Sequence, residues 1–529
     1  MRPETQWLKD KWGLPDATIE AVEKLYIAHE EGSTACKVAP SVSDWGKAAA
    51  RPGEDNTRPL VLVNHQSEAY LQTRWFFDAE KNIASCLLRL NSDASIAFTP
   101  EKLAVYFPTA GRQRDAAALA LSKRIAIITG GPGTGKTYTL ARILALLIEA
   151  SVDPKSIQLT APTGKAADRM KQAVAEACND LAPNLQEKLR VVAATSGTIH
   201  SLLGHHPGKN SCTYHSGHRL PCKFLIVDEC SMIDTLQWKA LLEALTDDSR
   251  LILLGDPNQL ESVGRGNVFS EIADSPALQS ARIHLTESRR FADRPAITDL
   301  ALAIEGHDAD KALAVFSKNT DPACANGLFW NESTGASSIL RNLPPVVIEA
   351  IEAVAFAPSP QDALANLARV RILTSHRNRA VGNQSLGSEI ERILGVRNPG
   401  KKILNRPIII DRNDPNTGLR NGEVGIVHAV GDAREVHFEN RPSIRISELP
   451  EHSPAWSITI HRSQGSEYEN VVVLLPKKSD SPLATRQLLY TAITRAKRSL
   501  FVFGSAEVIK TAIKNTAKRT TLIAWHLGD

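Results

Sequence analysis

At 529 residues the chain is too long for one hydrophobic core and implies about three or four domains. Its 43% hydrophobic and 23% charged residues are the balance of a globular protein, and no apolar run reaches the length of a membrane span. A net charge of only +4 says little about a polyanionic partner, so any nucleic-acid footprint must be a local groove. The start, Met1 to Asp10, has no apolar stretch of signal-peptide kind. Seven cysteines are scattered without a C-x-x-C pair, which fits a reduced cytoplasm and no disulfide framework.

Residues 1 to about 105 form a first unit without catalytic signatures. Ala17 to Glu30 reads as a helix, Ser41 to Thr57 as a polar loop holding Pro-Gly, and Leu60 to Val63 as a strand. Tyr70 to Glu80 leads into a helix running to about Leu90. Tyr70, Trp75, Phe76 and Phe77 are either core or a docking surface; core is the default, because exposed aromatic patches are uncommon. Gln113 to Ser122 reads as a helix, and the Gln113 amide, which both donates and accepts, suits an adenine edge or plain solvation.

The β-branched run Arg124 to Thr129 reads as a buried parallel strand. After it, Gly130-Gly131-Pro132-Gly133-Thr134-Gly135-Lys136-Thr137 fits the phosphate-loop pattern G-x-x-x-x-G-K-[ST]. A helix follows, with Leu140, Ile143, Leu144 and Leu147 at helical spacing. Glycines let backbone N–H groups curl around an anion, and the helix N-terminus adds its positive end. Lys136 is placed to reach the β/γ-phosphates and the Thr137 hydroxyl to ligate Mg²⁺.

Ile157 to Met170 is a second strand, loop and helix, with Thr163, Gly164 and Lys165 at the helix start. That position suits a DNA phosphate or an ordinary capped turn, and both readings stand. Thr198 to Leu203 begins another helix. The polar stretch Gly204 to Pro221, with Cys222 beside it, holds His205, His206, Cys212, His215 and His218, yet its spacing matches no standard zinc finger. A hairpin or loop is expected there instead, and an insertion of this kind could serve as a pin that splits duplex strands. Lys223 to Asp234 carries an apolar strand ending in Asp228-Glu229, an expensive acidic pair unless it has partners or work. Asp228 would hold the Mg²⁺ shell and Glu229 would orient or deprotonate the attacking water. Leu251 to Leu260 repeats the pattern and supplies Gln259 to contact the γ-phosphate or its water. Arg289 and Arg290 follow a strand; they are either a pair of solvated arginines or hold one, with Arg290 preferred, that reaches transition-state charge.

Residues 305 to 345 read as an irregular connection rich in turn residues. Val370 to Ser375 is a strand followed by His376, Arg377 and Arg379, and Arg406 to about Ser457 reads as a small inserted β-barrel. Asn470 to Leu475 is a buried strand, and Leu488 to Lys497 a helix on which Tyr490, Thr494 and Lys497 share a face. Arg495 lies near the end of that helix. If it is aimed at the same phosphates, ATP would bridge two lobes.

Eight segments in order carry a resemblance: GGPGTGKT (130–137), LTAPTGKAADRM (159–170), GTIHSLLG (197–204), LIVDECSMID (225–234), GDPNQL (255–260), LTESRRF (285–291), TIHRSQGSE (459–467) and YTAITRAK (490–497). With these the chain resembles the superfamily-1B DNA helicases, and within them the RecD family, α subunits of RecBCD exonuclease V complexes. Tyr70-Leu71, Arg74-Trp75 and Glu80 are similar to that family's amino-terminal domain. The resemblance implies an α/β fold of two RecA-like P-loop lobes with a small N-terminal domain and an inserted SH3-like β-barrel. Its implied domains are a partner-docking domain at 1–105, lobe 1A at 106–305 with a small insertion near 204–222, a connection and the start of lobe 2A at 306–404, the barrel at 405–455, and the rest of lobe 2A at 456–529.

It further implies an ATP- and Mg²⁺-dependent 5′–3′ helicase, with Lys136, Asp228, Glu229, Gln259, Arg290 and Arg495 catalytic and the metal held by Thr137 and Asp228. Gln113, Gly131, Gly133, Thr134, Gly135, Lys136, Thr137 and Glu467 would bind nucleotide. Thr163, Lys165, His200, Thr459, His461 and Ser463 would touch single-stranded DNA. The implied partners are duplex-end and single-stranded DNA and RecB-like and RecC-like chains in a heterotrimer, with any nuclease in a partner. Two departures stand out: Arg462 replaces the usual Lys before Ser-Gln-Gly, and Arg289 replaces the aromatic before the finger arginine. Only about 110 residues precede the ATPase, against a longer extension in free-standing RecD-like helicases. The competing readings are such a free-standing helicase and an ATP-switched DNA-binding module without motor activity.

Overall fold

The computed structural model describes the chain except residues 40–44, 46, 66, 97, 180, 207, 210, 287–293, 325–326, 377–382, 431–432, 440, 518 and 529. It divides into two units: Met1–Pro257 with Glu261–Glu287 and Lys518–Asp529, and Asn258–Leu260 with Ser288–Ala517. All seven cysteines are free, and among the described residues no helix is long and apolar enough to cross a membrane.

The first unit opens with the helices Pro3–Trp12 and Ile19–Glu30 and the strands Ala35–Val38 (β1), Ala49–Ala50 (β2), Leu60–His65 (β3) and Glu68–Thr73 (β4). They form a sheet in the order β1-β4-β3-β2. Tyr70 therefore lies on a strand, and the helix after it begins at Arg74 and runs to Leu90. The aromatic quartet divides: Phe76 and Phe77 are buried, whereas Trp75 is 63% exposed.

Continuous apolar runs then build a six-stranded parallel sheet, because strands covered on both faces need no polar alternation. Its members are Ile125–Gly130 (β5), Ile157–Ala161 (β6) and Gly197–Thr198 (β7), and, after the ribbon His205–His206 (β8) with Ser211–Cys212 (β9), Phe224–Val227 (β10), Arg250–Gly255 (β11) and Arg282–Leu285 (β12). The order is β12-β5-β11-β10-β6-β7. From β5 the chain crosses through the helix Lys136–Glu149 to β6, and later returns to place β12 on the other side of β5. This reversal of direction creates a crevice at the carboxyl ends of the strands, where open α/β sheets take ligands.

The chain's last residues return to this unit. Leu522, Ile523 and Leu527 are buried, and Arg519 pairs with Glu261 at 2.7 Å. Glu80 accepts from Leu522 N at 2.8 Å, Gln72 Nε2 at 2.9 Å and Thr34 Oγ1 at 2.5 Å. Glu271 accepts from Ala524 N at 3.2 Å and from the Thr521 hydroxyl. Burial outweighs these donors and pushes Glu80 up to about 7 and Glu271 up to about 8.

The second unit holds a five-stranded parallel sheet whose first members are Leu328–Asn331 (β13) and Val370–Thr374 (β14). Five antiparallel strands follow in the chain: Asn405–Ile410 (β15), Val424–Val430 (β16), Ala433–Phe438 (β17), Ile444–Arg445 (β18) and His452–Pro454 (β19). Ser457–Thr459 (β20), Tyr468–Leu474 (β21) and Ala496–Phe503 (β22) complete the parallel sheet in the order β13-β22-β21-β14-β20. The antiparallel strands pair in the order β18-β17-β16-β15-β19, with β19 added on the far side of β15.

Two expectations are corrected here. Residues 305 to 345 are not irregular: they hold the helices Ala309–Ser317 and Ala336–Arg341 and the strand β13. Asp308 caps the first helix by accepting from Lys311 N at 2.9 Å, and β13 pairs in parallel with β22. The turn residues sit between these short elements, whose stability comes from the burial of Phe316, Leu328, Trp330, Ile339 and Leu340. The helix expected over 488–497 runs instead from Arg486 to Ile493, with Thr485 Oγ1 capping Leu488 N at 3.3 Å. Lys497 falls on β22 and is exposed, whereas Tyr490 and Thr494 are buried, so the three share no face. Pairing of Ala496 with Tyr468 claims those residues for the sheet.

Candidate nucleotide site and nucleic-acid interface

β5 ends at Gly130, and the helix that follows the glycine loop starts at Lys136. Gly133 and Gly135 have φ of 79° and 84°, the left-handed region that side chains disfavour. A Cβ on Gly135 would stand 2.3 Å from Gln113 Nε2, which donates to Thr134 O at 3.0 Å. Thr134 Oγ1 donates to Gly131 O at 2.8 Å and closes the loop. The Lys136 amine folds inward, donating to Gly130 O at 2.5 Å and Gly131 O at 3.1 Å. Thr137 stands in the first helical turn and is half-buried.

Asp228 and Glu229 follow β10. Glu229 takes φ 52° and ψ 43°, a left-handed conformation uncommon outside glycine, and its N–H donates to Asp228 Oδ1 at 2.8 Å. Burial, then the Glu229 carboxylate, pushes the Asp228 carboxyl up; the Glu229 N–H, Lys136 and Arg169 act the other way. Lys136 is therefore electrostatically coupled to Asp228. A glycine cradle that a side chain would fill, a cation within it, and two adjacent carboxylates fit a magnesium nucleotide.

In the second unit Arg495 is 2% exposed. Its Nε donates to Thr491 O at 3.0 Å, Nη1 to Ser466 O at 3.2 Å and Nη2 to Gln259 Oε1 at 2.9 Å. The structure thus brings Gln259 and Arg495 together. Arg290 and Arg289, like Arg377 and Arg379, lie outside the described residues.

The expected DNA contacts fall on helix starts and one turn. Thr163 Oγ1 accepts from Ala166 N at 3.2 Å and caps the helix Gly164–Ala177, on which Lys165 is exposed. His200 is exposed, its ring edge-on to His205 at 5.1 Å, and partial desolvation of the imidazole lowers its pKa. Thr459 ends β20, and His461 and Ser463 form the turn after it, with Glu467 half-buried beyond. Ser463 departs from expectation. It is fully buried and its hydroxyl donates to Ile460 O at 2.7 Å, so this side chain serves the turn. In the 204–222 stretch the β8–β9 ladder and a backbone bridge between His215 and His218 make short hairpin pairings. Among the described residues no three His, Cys, Asp or Glu converge as a metal site.

Sequence reasoning missed the anchors around these residues. Arg462 Nη2 pairs with Asp411 Oδ1 at 2.5 Å, and Thr491 and Gln464 bond to the backbone of Leu260. Only tertiary folding reveals such partners; the departure at Arg462 was the single local signal.

A phosphate loop opening a helix beside a strand-end acidic pair defines a P-loop nucleotide-binding protein. Residues 113–265 match the AAA domain family, and residues 454–503 match the UvrD-like helicase C-terminal domain. The chain is 33% identical over 529 residues to the RecBCD enzyme subunit RecD of Mycolicibacterium smegmatis, covering 96% of this chain and 93% of that relative. It is 34% identical over 490 residues to the RecBCD enzyme subunit RecD of Haemophilus influenzae, covering 81% and 75%. It is also 28% identical over 411 residues to the ATP-dependent RecD2 DNA helicase of Deinococcus radiodurans, covering 76% of this chain and 50% of that one. The chain belongs to the RecD family of ATP-dependent DNA helicases.

Proposed function

We propose that this chain is the 5′–3′ DNA translocase subunit of a RecBCD-type complex, assembled with RecB-like and RecC-like chains and acting on duplex ends in double-strand-break repair and recombination. Residues 1–105 are assigned to partner docking and the β15–β19 sheet to an SH3-like module of the second lobe. The observation that carries the reading is Lys136, folded into its glycine loop and electrostatically coupled to Asp228 at the end of β10.

When bound, magnesium ATP supplies the phosphoryl group whose hydrolysis drives movement. Lys136 and the loop N–H groups would bind its phosphates, Thr137 and Asp228 would hold the metal, and Gln113 and Glu467 would serve the base and the ribose. Glu229 takes a proton from the attacking water; its raised energy in a left-handed backbone fits a residue positioned for work. Gln259 orients that water, and Arg495 with Arg290 stabilises charge in the transition state. Thr163, Lys165, His200, Thr459 and His461 contact the DNA backbone.

The test is ATP turnover with and without single-stranded oligonucleotide. Strong stimulation supports a motor. Turnover in the chain and in its complex without strand separation supports the rival reading, an ATP-switched clamp.

A further inference from the structure

We propose that Thr491 and Gln464 are positioning residues that set the γ-phosphate sensor Gln259 by gripping the backbone of its neighbour Leu260. The inference rests on the motor reading above.

Leu260 is buried, and its two backbone groups find partners in side chains. Thr491 Oγ1 stands 2.7 Å from Leu260 N and accepts its proton. Gln464 Nε2 donates to Leu260 O at 3.0 Å. Both side chains are themselves buried. They come from separate elements: Thr491 from the helix Arg486–Ile493, and Gln464 from the end of the turn His461–Ser463. Asn258, on the other side of Gln259, is anchored as well, donating from Nδ2 to Glu305 Oε1 at 2.9 Å and accepting from Arg486 Nη1 at 3.4 Å.

Gln259 is thus suspended between two fixed residues, and its side-chain Oε1 accepts from Arg495 Nη2 at 2.9 Å. Thr491 acts twice in this geometry. Its hydroxyl fixes Leu260, and its own carbonyl receives Arg495 Nε at 3.0 Å. One residue therefore sets the spacing between the glutamine and the arginine. Gln464 ties the same segment to the turn that bears His461 and follows Thr459, the residues assigned to DNA. A change in that turn would be felt at the Leu260 carbonyl and, one residue away, at the sensor.

Thr491→Val keeps the shape but removes the acceptor, leaving a buried N–H without a partner. We expect kcat for DNA-stimulated ATP turnover to fall about tenfold, with KM for ATP unchanged. Thr491→Ser should restore it. Gln464→Met should lower the ratio of stimulated to unstimulated turnover. A structural role alone would lower the melting temperature and change kcat independently of the sensor, so the decisive readout is a double-mutant cycle. In a Gln259→Ala background, Thr491→Val should cost little more. Additive losses, or a wild-type kcat in Thr491→Val, would overturn the proposal. Should the wild-type chain and its complex show no response to DNA, the motor reading fails instead, and the two failures are distinct.

Discussion

Replacing Gly135 with Ala puts a methyl group where the structure has none to spare. At φ 84° an alanine carries a left-handed penalty of about 1–2 kcal/mol. Its Cβ also meets Gln113 Nε2 at 2.3 Å, so the flexible amide must swing away and give up its bond to Thr134 O. That bond contributes about 1 kcal/mol, which brings the loss in the first unit to about 2–3 kcal/mol. At that size the melting temperature should drop on the order of 5–10 °C. Nucleotide affinity should fall further, since the displaced loop no longer presents its N–H groups to phosphate. Thermal unfolding and titration with a fluorescent ATP analogue read the two effects separately. Gln113→Ala should lose only about 1 kcal/mol, and the double variant should be less than additive because the clash is gone. A Gly135→Ala protein with wild-type melting and wild-type ATP binding would refute this account of the loop.

Lys136→Ala should abolish turnover stimulated by single-stranded DNA, measured as phosphate release; wild-type rates in that variant would contradict the site. Glu229→Gln should keep ATP binding while turnover falls at least about a hundredfold, as expected when a general base is lost. Glu271 gives a pH test. Its folded pKa of about 8 lies above the ordinary value of 4.5, so the folded chain keeps a proton that the unfolded chain has released. Its contribution is fully present below pH 4.5 and is lost as pH climbs through about 8. Glu271→Gln should therefore flatten the decline in unfolding free energy between pH 5 and 8, by up to about 1.4 kcal/mol per pH unit. Denaturant titrations at three pH values check this, and parallel declines in both proteins would rule it out.

The strands β5, β10 and β11 were legible in the sequence because fully buried parallel strands are written as unbroken apolar runs. The glycine loop was legible because few residues other than glycine take φ near 80°. The helices Ala309–Ser317 and Ala336–Arg341 were not, since each is short and bounded by turn residues that dominate a local reading. The limit of the helix at Ile493 was likewise set by pairing with a distant strand. Arg495 was found from its motif, yet its enclosure by Thr491, Ser466 and Gln259 depends on contacts up to 236 residues apart. The return of Arg519 to Leu527 onto the first unit left no trace in periodicity, for it depends on single buried acids, Glu80, Glu261 and Glu271, far along the chain.

Strand separation tests the central claim most directly. Duplexes with a 5′ or a 3′ single-stranded overhang are given to the chain alone and to a complex whose other subunits lack motor activity, with ATP and with a non-hydrolysable analogue. The account predicts ATP-dependent release of the displaced strand from the 5′-overhang duplex, lost in Lys136→Ala. ATP turnover without strand release in both settings would contradict it.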